Sequence, residues 1–161
     1  MVRVERLRAD HAPAVLAFEL ENREYFSRSI PDRGDAYFAE FAALHRARLA
    51  EQDAGECHFH VVFDDDGALV GRVNLVDVED GIAELGYRVA ERAAGRGVAT
   101  AAVAQVCQLA VTSYGLQALR AVTTLDNAAS RAVLRRHGFT AVGDVTVDGR
   151  PGVRYVRRLV D

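Results

Sequence analysis

The residues best placed to do chemistry are Arg92-Ala93-Ala94-Gly95-Arg96-Gly97-Val98-Ala99-Thr100, between an apolar stretch, Ile82 to Val89, and a long run from Val98 to Tyr114. Gly95 and Gly97 carry no Cβ, so the backbone can turn sharply and come close to a ligand. A helix starting near Gly97 points its unpaired N–H groups and positive dipole end back at that turn. Strand, glycine turn and helix start form a cradle for a phosphate-like anion, with Arg92 and Arg96 adding charge on either side. Two common pyrophosphate sites do not fit. A P-loop needs a lysine, and all 20 basic residues here are Arg. A dinucleotide fingerprint needs a third glycine where Thr100 stands, inside a strand-helix-strand unit. What remains is Arg, two residues, Gly, one residue, Gly, after a strand and before a long helix.

Two further groups could move protons. Glu84 lies in the apolar stretch Ile82-Ala83-Glu84-Leu85-Gly86-Tyr87, where burial would raise its pKa toward neutral and suit it to accept a proton from an amine. The alternative is that Glu84 faces solvent or pairs with an arginine on a neighbouring strand, such as Arg72. Ser130 follows Asn127 by three residues in the pattern N-x-x-S-x-x-x-L-x-x-x-G-F, which ends at Leu134 and Gly138-Phe139. Asn127 or Asp126 can cap the helix that carries it. His58 and His60 alternate on a strand with no third ligand spaced to join them, so no metal site is expected. Cys57 and Cys107 are too far apart in sequence to suggest a disulfide framework and read as buried thiols.

The elements that must position these groups follow from periodicity. Val2 to Leu7 alternates as a strand. A helix is expected from His11 to Ser27, capped by Asp10 with Pro13 in its first turn, and a second from Tyr37 to Gln52. Strands follow at Cys57 to Phe63, Ala68 to Val76 and Ile82 to Val89, the first two joined by the Asp64-Asp65-Asp66-Gly67 turn. Then come the long helix, a short strand (Leu119 to Leu125), a helix (Ala128 to His137) stopped by Gly138, and a closing hairpin from Phe139 to Val160. The reading is α+β, a single domain over residues 1–161.

With 161 residues, 50% of them apolar, the chain can bury a core. A net charge of −3 argues against nucleic acid as a partner. No apolar run approaches the ~20 residues of a membrane span, and the N-terminus lacks a signal-peptide core, which points to the cytoplasm.

The glycine turn, with Leu85-Gly86-Tyr87 before it and the Asn127 to Phe139 pattern after it, resembles the GNAT family of N-acetyltransferases, in the branch of the ribosomal-protein N-terminal acetyltransferases. The likeness covers about Val70 to Phe139. It implies a mixed, mostly antiparallel sheet of about seven strands, splayed at a cofactor cleft and flanked by about four helices. It also implies acetyl-CoA between the strands at Ile82–Val89 and Leu119–Leu125. The backbone at Tyr87, Arg88 and Val89 would pair with the pantetheine arm. Arg92, Gly95, Arg96, Gly97, Val98, Ala99 and Thr100 would hold the pyrophosphate, and Asn127 and Ser130 would touch the cofactor. Glu84 is the expected base and Ser130 the expected acid, because the position where many relatives carry a tyrosine acid is Leu134. Tyr25, Phe26 and Ser27, with Glu84, are candidates for the acceptor wall. The acceptor is a primary amine, on a peptide N-terminus or a small molecule. An α-amine of pKa ~8 needs less help than a lysine near 10.4. Detoxification of an aminated metabolite or antibiotic, or non-catalytic sensing of acyl-CoA, are the alternatives. A homodimer is an option carried by the resemblance alone.

Overall fold

The computed structural model describes residues 1–160. The elements, in chain order, are β1 (Arg3–Arg6), α1 (Ala12–Glu21), α2 (Arg23–Ser27), α3 (Asp35–Ala39), α4 (Phe41–Asp53), β2 (His58–Phe63), β3 (Leu69–Glu79), β4 (Ile82–Val89), α5 (Val98–Thr112), β5 (Ala118–Thr124), α6 (Ala128–Arg136), β6 (Thr140–Val147) and β7 (Arg150–Arg158). This is the α+β, seven-stranded arrangement expected, with six α-helices where about four were expected. Each of the first two predicted helices is divided. At Asn22 (φ −104°, ψ 8°) the amide Nδ2 donates to the Phe18 carbonyl at 2.9 Å while Oδ1 accepts from the Glu91 N–H at 3.0 Å. The buried amide thus ties the break to the segment entering the glycine turn, and competition of this kind interrupts helices. A similar break at Glu40 (φ −106°, ψ 18°) separates α3 from α4. Asp10 does not cap α1; its carboxylate pairs with Arg8 at 3.0 Å, and the chain enters α1 through a single 3-10 turn.

The sheet order is β1-β2-β3-β4-β5-β7-β6, and all neighbours except β4 and β5 run antiparallel. The β4–β5 ladder holds only at Ile82–Ala118, Ala83–Leu119 and Glu84–Arg120. Beyond Glu84 the two strands part, yet each is held by its outer neighbour, β4 by β3 up to Val89 and β5 by β7 up to Thr124. The sheet therefore contains a rigid-walled V-shaped opening at its centre.

Side-chain alternation builds a core on each face. One face packs Val73, Leu75, Leu85 and Leu119 against Val103, Val106 and Ala110 of α5. The other packs Phe59, Val61 and Leu69 against Val15, Phe18 and Phe41 of α1 and α4. Among the described residues no helix is long and apolar enough to cross a membrane.

His58 and His60 belong to this packing. His60 Nδ1 donates to the Val73 carbonyl at 3.0 Å and Nε2 accepts from the Tyr114 hydroxyl, while the His58 ring stacks on Tyr114 with centroids 3.7 Å apart. Burial holds His60 at about 4, below its ordinary value of 6.5. An unfolded chain takes up a proton near pH 6.5 that the folded chain refuses until about 4, so the associated stability is complete above 6.5 and lost as pH falls through that window. At 1.36 kcal/mol per unit the loss is about 3 kcal/mol. Urea denaturation at pH 7 and pH 4.5 should show most of it, and His60→Asn should flatten the dependence.

Candidate active site

Helix α5 begins at Gly97, which takes φ 77°, ψ 11°, and Gly95 takes φ 75°. These left-handed backbones suit glycine and strain any residue with a Cβ. No side chain caps α5, so its leading N–H groups are free to bind an anion. They border a cavity of about 440 Å³ lined by Gly95, Gly97, Val98, Ala99 and Thr100 on one side and Tyr87, Arg88 and Val89 on the other. An inner cavity of about 380 Å³ continues it into the V between the strands, with Leu85, Gly86 and Tyr87 on one wall and Ala121 to Thr124 on the other. Tyr87, Ser29, Ile30, Asn127 and Ser130 line both, so the two form one trough. A phosphate at the helix start and an extended arm in the V fit these surfaces.

At the junction of the two halves the Tyr87 hydroxyl donates to Ser130 Oγ at 3.0 Å. Burial pushes the Tyr87 phenol above its ordinary value, against a smaller opposing effect from Ser130. Asn127 Oδ1 accepts from the Ser130 N–H at 3.1 Å, which makes it the cap of α6 while it also lines the trough.

Most of the residues singled out from sequence gather here; several side chains do not behave as expected. Arg92 does not line the trough. It turns toward the Leu69 carbonyl at 3.4 Å and lies 3.8 Å from both Glu21 and Asp64. Arg96 is exposed and also outside the lining. Arg88 lines the outer cavity but does not aim its charge at the helix start. Its guanidinium passes through to the other face of the sheet, 2.9 Å from Glu19 and 4.5 Å from the centre of the Phe26 ring. Phe26 is buried against Phe18 and also lines the outer cavity. Tyr25 lines the outer cavity, and Ser27 lines the inner one while its hydroxyl donates to the Glu24 carbonyl at 2.7 Å.

Glu84 is half-buried rather than buried. The apolar residues beside it, Ala83 and Leu85, point to the α5 face, whereas Glu84 shares the opposite face with its ladder partners Val76 and Arg120, next to the exposed Gly86. Nor does Arg72 pair with it: Arg72 Nη1 lies 2.8 Å from Glu19.

Two features escaped the sequence reading. One is the Tyr87–Ser130 bond, whose partners are 43 residues apart. The other is Glu19, whose side chain is 0% exposed and is surrounded by Arg33 at 3.1 Å, Arg72 at 2.8 Å and Arg88 at 2.9 Å. Burial raises the Glu19 pKa, but the three guanidinium groups outweigh it and leave the carboxyl below its ordinary range. A hint existed: Glu19 falls one helical turn after the buried Val15, on the inward side of α1.

The family model described as "Acetyltransferase (GNAT) domain" matches residues 2–140. A probable N-acetyltransferase of Bacillus subtilis, YjcK, is 28% identical over 148 residues, which cover 87% of this chain and 81% of that protein. RimJ of Mycobacterium smegmatis, solved in complex with CoA-disulfide, superposes with a TM-score of 0.86 at 26% identity, covering 98% of this chain and 81% of that one. The ribosomal-protein-S5-alanine acetyltransferase of Vibrio fischeri superposes with a TM-score of 0.91 at 17% identity, over 99% of this chain and 94% of that one, a likeness of fold. With its trough, its uncapped helix start and a family match over most of its length, the chain belongs to the GNAT acetyltransferases and is an acyl-CoA-dependent N-acetyltransferase that uses acetyl-CoA.

Proposed function

We propose that residues 1–161 act as one catalytic domain that moves the acetyl group of acetyl-CoA directly to a primary amine held in the same complex, the amine being a protein N-terminus or a small molecule. The observation that carries this reading is the continuous trough from the start of α5 into the V between β4 and β5. The backbone of Gly95 and of Gly97 through Thr100 would hold the pyrophosphate, and the backbone of Tyr87, Arg88 and Val89 the extended arm, with Asn127 at its side. The thioester supplies an activated acyl carbon. Past Glu84, N–H groups of β4 that point toward β5 lack a ladder partner. One of them aimed at the developing oxyanion is typically worth ~3–4 kcal/mol.

Ser130 is the proton donor to the departing thiolate, and the Tyr87 hydroxyl, which donates to Ser130 Oγ, leaves the serine proton free to point at the sulfur. Glu84, on the sheet face open at Gly86, takes the proton released by the amine. A general acid of this kind contributes ~10²–10⁴-fold. Thiol release measured with a panel of amines tests the reading. Ser130→Ala should lower kcat about 10²-fold and Tyr87→Phe about 10-fold, with acetyl-CoA affinity little changed. Because the phenol is held above the usual tyrosine value, kcat should not fall with rising pH below about pH 10. Glu84→Gln should lower kcat about 10²-fold; unchanged turnover assigns the base elsewhere. Tight acetyl-CoA binding with no turnover of any amine would replace the enzyme by a sensor.

A further inference from the structure

On the sheet face opposite α5, a cavity of about 260 Å³ lies between the α3–α4 segment and strands β2 and β3. Its polar wall consists of Arg33, Tyr37, His45, Arg48, Arg72 and Asn74, and no acidic residue among those described lines it. Of the acids nearby, Glu51 pairs with Arg48 at 2.9 Å, Glu19 is shared by Arg33, Arg72 and Arg88, and Glu84 lies outside the lining, across the ladder from Val76 on the same face. Three guanidinium groups on one carboxylate leave two positive charges without a counter-charge. Arg72 is 7% exposed, while the Arg88 and Arg33 side chains are 17% and 32% exposed, so the excess runs from the interior toward the surface and its buried part, at Arg72, is costly. Two donors at the cavity are also without partners: among the described residues Arg72 Nε and Arg48 Nε are shut off from solvent and make no hydrogen bond. The acceptor Asn74 Oδ1 is unpaired as well, which a donor rather than an anion would satisfy. Buried polar atoms are normally satisfied, and each exception calls for a cause.

The cavity adjoins the reaction strand. Asn74 faces Gly86 and Val76 faces Glu84 across the β3–β4 ladder. Neighbouring strands lie ~4.8 Å apart, so a group in the cavity and an amine above Gly86 would be separated by roughly 5–10 Å. That is the reach of an acidic side chain or of one to two peptide units.

We propose that this cavity is an anion site that receives a carboxylate carried by the acceptor, so that the preferred amines bear a carboxylate within about two peptide units of the nitrogen. The inference rests on the acetyltransferase reading and narrows its substrate class. Guanidinium forks match the planar carboxylate. Polycationic amines meet the same excess charge as repulsion, as would an acceptor of any shape with a cation at this point.

The protein with acetyl-CoA is assayed against matched acceptors that have no free α-carboxylate: the amino-acid amides Glu-NH2 against Gln-NH2, and the dipeptide amides Ser-Glu-NH2 against Ser-Gln-NH2. The first pair asks about a small amino-acid acceptor, the second about an acidic side chain near a peptide N-terminus. The carboxylate member of at least one pair should show kcat/KM at least 10-fold higher, mainly through KM. Arg48, on α4 and half-exposed, tolerates replacement, and Arg48→Glu should reduce that ratio to under 3-fold. Glutarate binding by calorimetry gives a readout that needs no turnover and should weaken at least 10-fold in Arg48→Glu. Equal use of acid and amide in both pairs, or a preference that survives Arg48→Glu, overturns the proposal, as does glutarate binding that is absent or insensitive to Arg48. If no amine is turned over yet glutarate binding depends on Arg48, the transferase reading and the acceptor assignment fall together and the anion site stands.

Discussion

Gly97→Trp should weaken acetyl-CoA binding at least 10³-fold, to the point where isothermal titration at micromolar protein shows no heat. Gly97 sits at φ 77°, and forcing a side chain into this backbone costs ~1–2 kcal/mol. The larger loss comes from the ligand. An N–H bond to a charged phosphate is worth ~1.5–3 kcal/mol, and an indole at the head of α5 disturbs at least two of them. Two such bonds amount to ~3–6 kcal/mol, a range that spans the ~4.1 kcal/mol a 10³-fold change requires. The backbone strain is borne with and without ligand, so it lowers stability rather than affinity. A Cβ at Gly97 meets no atom within 4 Å, so the substitution need not disrupt the core. Circular dichroism should therefore stay near wild type, with stability lowered by no more than the ~1–2 kcal/mol of backbone strain, while binding disappears. Retained micromolar affinity would mean that the diphosphate is gripped elsewhere.

The second large effect is on stability. Glu19→Gln keeps the size and removes the charge that three guanidinium groups share, with the Glu19 side chain fully buried and those of Arg72 and Arg88 9% and 17% exposed. Breaking a buried ion pair from one side leaves like charges facing one another, at a cost of about 3–5 kcal/mol. Domains are stable by only ~5–15 kcal/mol, so the urea midpoint should fall sharply. Because the Glu19 carboxyl lies below its ordinary range, its contribution is present above the unfolded carboxylate pKa and is lost as pH falls through the folded value. In Glu19→Gln that acid-side loss should shrink. A change under 1 kcal/mol would mean the guanidinium groups find other partners or solvent. The arrangement links stability to function, since Arg88 lines the outer wall of the trough and reaches Glu19 with its side chain.

Local signals were enough for much of this architecture. The β4 bounds, Ile82–Val89, and the start of α5 at Val98 follow from the change of period across Gly95 and Gly97, because strand alternation, left-handed turn and helix start are all properties of neighbouring residues. The Asn127 cap of α6 is local in the same way. The family resemblance carried the splayed strands, which no periodicity encodes.

What the chain alone determined, then, is where strands, turns and the anion-binding helix start lie, since each depends on contacts within a few residues. The tertiary structure decided which way side chains face and whom they meet. The folded chain sets Arg92 beside Glu21 and Asp64, and it leaves Glu84 half-buried because Leu85 and Ala83 take the other face of the strand. The Tyr87–Ser130 bond and the three arginines around Glu19 join residues up to 69 positions apart, and electrostatic and hydrogen-bond energies depend on distance in space, which sequence separation does not supply.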